Sequence, residues 1–316
     1  MSTSGSVDFK QSRNEVILDA LQIIGAYGIG RTVSAEDLNF ASNLLNKMVK
    51  AWATKGLHLF TKEEGVLYIA PNTSIYNLGV TGTRATKASD EIVTQLSAAA
   101  ASSATTLSVD STSGMVIGDF IGIVLSDKTI HWTTILTIPS STSLTITAGL
   151  SGAASDNALV YTYTTMLQRP LRILDCRKRT GFGVDTVDLP ITEIGYQDLQ
   201  AFPVKNTGTS PTQYAFKPQS TFGAFYLWPC PSDGSERIMF TYERVIEDLD
   251  NTSDDFDFPA EWLEALTYQL ALRLARPFGK PNAIKDLLPI ASVMLNDLLD
   301  WDAEIASVQM EPTQCN

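Results

Sequence analysis

Apolar residues recur every three or four positions towards both ends of the chain and every second position through its middle. That contrast predicts helices at the ends and strands between them. The clearest helix is predicted over 258–279. Leu263, Leu266, Leu270 and Leu274 line one face and the opposite face is polar. Pro259 suits the first turn, and Arg276-Pro277 followed by Gly279 ends the run by removing a donor and then admitting a positive φ. Ser12 and Glu15 make a capping-box pattern, after which Ile17, Ala20, Leu21 and Ile24 form an apolar face that stops at Gly25. A loop containing Gly25, Gly28 and Gly30 leads to a second start at Ser34 and Asp37, with Leu38, Ala41, Leu45, Met48 and Trp52 on one side until Gly56. These two helices are expected to form a hairpin. A last helix over 282–306 places Ile290, Met294, Leu298, Trp301 and Ile305 on one face. Residues 307–316 carry no period and are expected to be a flexible tail.

From Gly65 the period changes. Residues 66–69, a turn at 71–74 and residues 75–78 predict a β-hairpin. Near residue 81 the composition shifts to Thr, Ser, Ala and Gly, and near Met166 it shifts back. Residues 86–164 therefore read as an inserted module, with strands at 106–109, 120–125, 130–138, 144–147 and 159–163 arranged as a small barrel or sandwich. Strands at 171–174, 186–189, 214–216, 224–228 and 238–242 follow, with a short helix near 193–199. An acidic segment, 247–257, leads into the helix at 258–279. Upstream of that helix lie only strands, so its packing partners are expected to be the helices at 12–55 and 282–306. The fold class is α+β: a discontinuous helical domain, made of the N-terminal helix hairpin plus the C-terminal helices, with a β domain and the inserted module. The expected boundaries are 1–60 and 248–306 for the helical domain, 61–85 and 165–247 for the β domain, 86–164 for the module and 307–316 for the tail.

With 316 residues, 44% hydrophobic and 18% charged, the chain is long enough for a proper core without metal or disulfide staples. No apolar run reaches the ~18 residues a membrane helix needs, and the N-terminal stretch lacks the apolar region of a secretory signal. Synthesis and assembly in a cytoplasm, with no membrane partner, is the expectation. Cys176, Cys230 and Cys315 are odd in number and far apart, fitting free thiols better than disulfides or a metal knuckle. A net charge of −12 excludes a grip on nucleic acid by neutralising phosphates. The histidines, His58 and His131, fall in different modules, and no Gly-x-Ser-x-Gly elbow supports a catalytic serine. Asp248, Asp250 and Asp254 suggest a calcium loop, but Ser253 stands where an EF-hand needs glycine. The run reads as a solvated connection whose last acids favour the positive end of the next helix. Catalytic residues, cofactors and metals are therefore all assigned as none. Arg169, Arg172, Arg177, Lys178 and Arg179 concentrate positive charge in an acidic chain. Two readings stay open: a subunit interface that meets Asp254 and Asp255 of a neighbouring copy, or charge scattered along a strand edge.

The chain also carries a run of segments in a definite order: Arg13-Asn14-Glu15-Val16-Ile17-Leu18-Asp19-Ala20-Leu21, Ser34-Ala35-Glu36-Asp37, Leu44-Leu45-Asn46-Lys47-Met48, Trp52 and Gly56-Leu57. After the module come Arg169-Pro170-Leu171-Arg172-Ile173, Ser210-Pro211-Thr212-Gln213-Tyr214, Tyr226-Leu227-Trp228-Pro229-Cys230-Pro231 and the helix entered at Phe258-Pro259. Together they resemble the head-to-tail adaptor, or connector, proteins of short-tailed bacteriophages, the tail tubular protein A or packaged-DNA stabilisation type, over residues 12–79 and 166–306. The resemblance implies a non-enzymatic virion protein at the head–tail junction. It implies a homo-oligomeric ring of twelve subunits bound to the portal protein and the tail nozzle protein. Genomic double-stranded DNA would be retained in, or pass through, its lumen without specific binding. It also implies a C-terminal arm that reaches into the adjoining ring; within residues 307–316 the expected portal contacts are Val308, Met310 and Pro312, with Val308 and Met310 as apolar anchors. The acidic charge agrees, since a negative channel repels phosphate. Two other classes compete. A virion-associated cell-wall hydrolase needs a cleft with converging acids, and a carbohydrate- or receptor-binding role would use Trp132, Tyr161 and Tyr163 of the module.

Overall fold

The computed structural model describes residues 9–53, 61–202, 204–205, 208–251, 254, 256 and 259–301. The helices in chain order are α1 (Arg13–Ile23), α2 (Ala35–Ala53), α3 (Tyr196–Ala201), α4 (Trp262–Ala275) and α5 (Ala283–Trp301). Two compact units form, one from residues 1–61 and 246–316 and the other from 62–245.

In the first unit local chemistry starts each helix. The Ser12 N–H and hydroxyl both donate to the Glu15 carboxylate, at 2.7 and 2.9 Å, and these bonds hold that carboxyl below its usual range. The Ser34 hydroxyl accepts the Asp37 N–H at 3.2 Å. Pro259 lies ahead of α4 rather than in its first turn, and its carbonyl accepts the Trp262 N–H at 3.0 Å. One core joins Ile17 and Leu21 of α1, Leu45 and Met48 of α2, and Leu263, Leu266, Leu270 and Leu274 of α4. Trp52 and Trp262 meet within it, ring centroids 6.0 Å apart. Helix α5 departs from expectation. It buries Leu287 and Ala291, while Ile290 stays 43% exposed. Both flanks of this helix carry large apolar residues, so its period alone does not select the packed face. The side chain of Trp301, and Ile305, lie outside the described residues.

The acidic segment is a correction to the expected solvated connection. Ile246 and Leu249, three residues apart, enter the helical core. The buried Arg13 guanidinium donates to the carbonyls of Leu249 and Asp250, at 3.2 and 3.0 Å. Asn46 exchanges two hydrogen bonds with the Leu249 backbone, and Lys50 binds the Ile246 carbonyl at 2.6 Å and the Asp248 carboxylate at 2.9 Å. The acids of this strap point outward because its apolar residues and backbone are held from within.

The second unit begins with β1 (Lys62–Tyr68), β2 (Ile75–Leu78) and β3 (Ala85–Lys87). The module follows with β4 (Ile92–Gln95), β5 (Thr106–Ser108), β6 (Phe120–Val124), β7 (Ile130–Ser140), β8 (Ser143–Ile146) and β9 (Leu159–Tyr163). The chain then returns through β10 (Arg172–Thr180), β11 (Val187–Glu193), β12 (Gln213–Pro218), β13 (Gly223–Trp228) and β14 (Arg237–Glu243). The larger sheet has the order β2-β13-β12-β11-β10-β14-β1-β3. The expected β1–β2 hairpin is therefore absent. β1 pairs with β14 and β3, and β2 pairs with β13. A link of only a few residues joins strands near opposite ends of the order, so the sheet curls almost into a barrel. Tyr76 braces that link, accepting the Ala70 N–H at 3.2 Å and donating to the Thr73 carbonyl at 2.7 Å. Leu67, Tyr76, Tyr214, Phe225, Leu227 and Phe240 fill the interior. Gly65 is required there, since a Cβ would stand 2.7 Å from the Phe240 ring.

The module's six strands run β4-β9-β6-β7-β8-β5, and a bridge between Leu96 and Val109 joins the two ends. Strand β4 is one the sequence pattern did not supply. Strand β3 spans residue 86, where the composition places the module's start, yet pairs with β1 of the larger sheet. Leu107, Ile121, Ile123, Ile135, Leu144 and Val160 form the module's core. A separate buried cluster ties the module to the larger sheet: Val66, Tyr68 and Met239 from the sheet against Val124, Tyr161 and Tyr163. Tyr68 stacks on Tyr163 with centroids 5.6 Å apart and planes 10° from parallel.

Candidate assembly interface

The basic segment lies on β10, which alternates its side chains between the two faces of the sheet. Arg177 and Arg179 point to one face and Lys178 to the other. The strand reaches Thr180, well past the end expected from residues 171–174, because Arg177-Lys178-Arg179 contains no apolar residue to mark the period. After a turn at Gly181–Thr186 the chain returns as β11, in the register Thr180↔Val187, Lys178↔Leu189 and Cys176↔Ile191. Gly181 has φ +83°, and a Cβ there would meet the Asp185 carbonyl oxygen at 2.3 Å. Strand β11 pairs with β12 only at Thr192 and Glu193, in parallel. Val187, Asp188, Leu189 and Pro190 are all exposed, so this half of the strand is covered on neither face.

The charges are matched within the chain. Arg179 donates twice to Asp188, at 2.8 and 2.7 Å. Arg177 reaches Asp188 at 3.0 Å and Glu64 of β1 at 2.7 Å. Lys178, buried, contacts the Ser210 hydroxyl and donates to Glu236 at 3.1 Å. Arg172 stands 3.6 Å from Glu243, and Arg169 is half-buried ahead of the strand. Asp254 belongs to the helical unit, where its carboxylate accepts the Asn251 N–H at 2.6 Å. Asp255, Val308, Met310 and Pro312 lie outside the described residues, as do His58 and Cys315.

The hydrogen bonds from Arg179, reinforced by the charges of Arg179 and Arg177, hold the Asp188 carboxyl below its usual range. A depressed folded pKa contributes stability that is complete above the unfolded value, about 3.9, and is lost as pH falls through the folded value. Urea midpoints of the wild type and Asp188→Asn are therefore expected to differ most near neutral pH and to converge as pH falls through the folded value. A gap that stayed constant from pH 7 to pH 3 would show that this carboxylate contributes no titrating stabilisation.

Ser210, Lys178 and Glu236 have the composition of a nucleophile with a base, but not its hydrogen-bond pattern. The Ser210 hydroxyl donates to both Glu236 oxygens, at 2.9 and 3.0 Å, and Lys178 donates to the same carboxylate and to the Ser210 hydroxyl. Lys178 is the donor in both contacts, so the cluster reads as a buried polar tie. Among the described residues no group of three or more His, Cys, Asp or Glu is placed to hold a metal ion. His131 rests on the module surface, its Nδ1 3.1 Å from the Ser151 hydroxyl. Cys176 and Cys230 are free and buried, with burial pushing both thiols up.

The rival reading, a carbohydrate- or receptor-binding role for Trp132, Tyr161 and Tyr163, finds no support in the two tyrosines, which are core residues, as strand aromatics more often are. Tyr161 and Tyr163 have no exposed surface. Their rings pack on Tyr68 of the larger sheet, as does Trp132 at 5.0 Å. Tyr161 and Tyr163 hold the module in place, with Trp132 half-buried beside them. The exposed β11 edge, by contrast, was missed. Its one sequence signal is the apolar Val184, Val187 and Leu189 set among glycines and acids.

No described helix is long and apolar enough to cross a membrane. A family model described as SU10 adaptor protein matches residues 90–300, a span that takes in the module, the return strands of the larger sheet and both α4 and α5. No curated protein matches the chain.

Proposed function

The chain belongs to the SU10 adaptor protein family, and on that premise we propose that it is a structural virion protein of the phage head–tail junction, forming a ring that joins the portal to the tail nozzle. The observation that carries this reading is the extent of the family match, which covers well over half of the chain and elements of both compact units. The geometry supports it in a second way. The side-chain cluster that most resembles a catalytic pair is tied up in its own hydrogen bonds, whereas β11 offers an uncovered edge for protein contact. In this reading twelve subunits surround the lumen, as in the short-tailed phage adaptors that the sequence resembles. A net charge of −12 per chain lets genomic DNA pass, or be held by closure, without adhesion.

Particle mass in solution, measured alone and with portal protein, tests the reading. A multi-subunit particle is expected in at least one of the two conditions. A single-chain mass in both would dismiss the ring. The portal contact is assigned to residues 307–316, with Val308 and Met310 as anchors beside Pro312, and ordering that arm costs about 1–2 kcal/mol per backbone residue fixed. Deleting 307–316 should therefore leave the melting temperature unchanged but weaken attachment to portal-containing heads. Unchanged affinity would move the docking surface elsewhere on the chain.

A further inference from the structure

We propose that the open edge of β11 at Val187–Pro190 is the subunit-to-subunit contact, adding a short β-bridge to a different surface of a second copy of this chain. The proposal rests on the ring reading and names the surface that builds it. Thr192 and Ile194 donate their N–H groups towards β12, to Thr212 at 3.0 Å and Tyr214 at 2.8 Å. Backbone groups alternate sides along a strand, so the Asp188 N–H and carbonyl and the Pro190 carbonyl face the same way. No strand among the described residues lies beside them. An open strand edge is a template for pairing, and proteins that remain monomeric guard such edges with unpaired charge or proline. Here the guard is weak. The one charged side chain of this stretch, Asp188, is turned back onto Arg177 and Arg179. Pro190 withdraws a single donor. The exposed side chains beside the edge are apolar, with Val184 fully exposed and Val187 and Leu189 about half exposed.

Charge selects a second copy as the occupant. Two chains of −12 repel wherever their acids face each other. The hairpin is where arginines and acids cancel locally, so a like chain approaches there without that penalty. Ring closure requires the receiving surface to differ from the donated one, because an edge that met only its own counterpart would pair two chains and stop.

The test uses the full chain. Val187→Lys with Leu189→Lys places unpaired charge along the edge at exposed positions, and its melting temperature should match that of wild-type subunits held below the assembly concentration. Wild-type particles should be multi-subunit, while the double variant should run at single-chain mass, with the concentration for half-assembly raised at least about tenfold. In a Cys315→Ser background, a Leu189→Cys thiol should react with maleimide in free subunits and be protected in the assembled particle. A double variant that assembles at wild-type concentration, or a thiol labelled equally in both states, overturns the proposal and leaves the ring reading standing. A variant that assembles alone but no longer binds portal protein also overturns it and assigns the edge to the portal. Wild-type chains that remain single both alone and with portal would remove the ring reading along with it.

Discussion

Replacing Arg237 with alanine is expected to cost about 3–5 kcal/mol of folding stability. Its guanidinium is 4% exposed and its partner Glu91 7%. The two form an ion pair at 2.9 Å, and a second donor reaches the Gly181 carbonyl at 3.3 Å. The same charge lies 5.2 Å from the Tyr161 ring centroid, and the Tyr161 hydroxyl donates to Ser235 at 3.0 Å. Removing the cation leaves the Glu91 carboxylate desolvated and unpaired, which is far more costly than losing the pair as a whole. The double variant Arg237→Met with Glu91→Leu, which removes both charges at similar volume, should recover most of the loss. Urea unfolding at fixed protein concentration reads both, since assembly adds its own stabilisation. A single-variant cost under about 1 kcal/mol, or no recovery in the double, would mean that the site admits water and that the module is held by its aromatic contacts alone.

Trimming Leu266 to alanine is expected to cost about 2–5 kcal/mol, the range for a buried leucine whose surroundings relax only partly. Leu266 has no exposed surface and sits in the core that α4 shares with α1, α2 and the strap at Ile246 and Leu249. The cavity would open where the two ends of the chain meet, so the helices from residues 13–53 should lose protection together with α4. Glu264→Ala, at an exposed position two residues away on the opposite side of the helix, serves as the control and should change stability by no more than about 0.5 kcal/mol. Hydrogen exchange that weakened only α4, with α1 unaffected, would contradict a shared core.

The sequence by itself determined what depends on neighbours a few positions apart. The Ser12–Glu15 and Ser34–Asp37 pairs mark the starts of α1 and α2, because caps bind within one turn. The leucines of α4 and the apolar side of α2 are buried as their spacing requires, since a helix brings residues three and four apart onto one face. The strands at 75–78 and 159–163 were legible from β-branched and aromatic alternation bounded by turn residues. The adaptor resemblance was legible too, in the order of short segments rather than in any one motif.

Tertiary structure alone decided which surfaces meet. A strand's sequence does not name its partner, so β2 joined β13 across a curled sheet where the turn at 71–74 suggested β1. Buried charge was equally invisible. Arg13 and Arg237 look like surface residues until carbonyls 236 and 237 positions away, and a carboxylate 146 positions away, come within hydrogen-bond reach. Trp132, Tyr161 and Tyr163 had the composition of a binding face and became packing because Tyr68 lies against them. The basic run on β10 became neutral by the same route, with acids from β1 and β11 arriving across the sheet. Periodicity fixes which way a side chain points. What it points at is set by contacts between distant parts of the chain, whose loop-closure cost is repaid only once the whole sheet and core assemble.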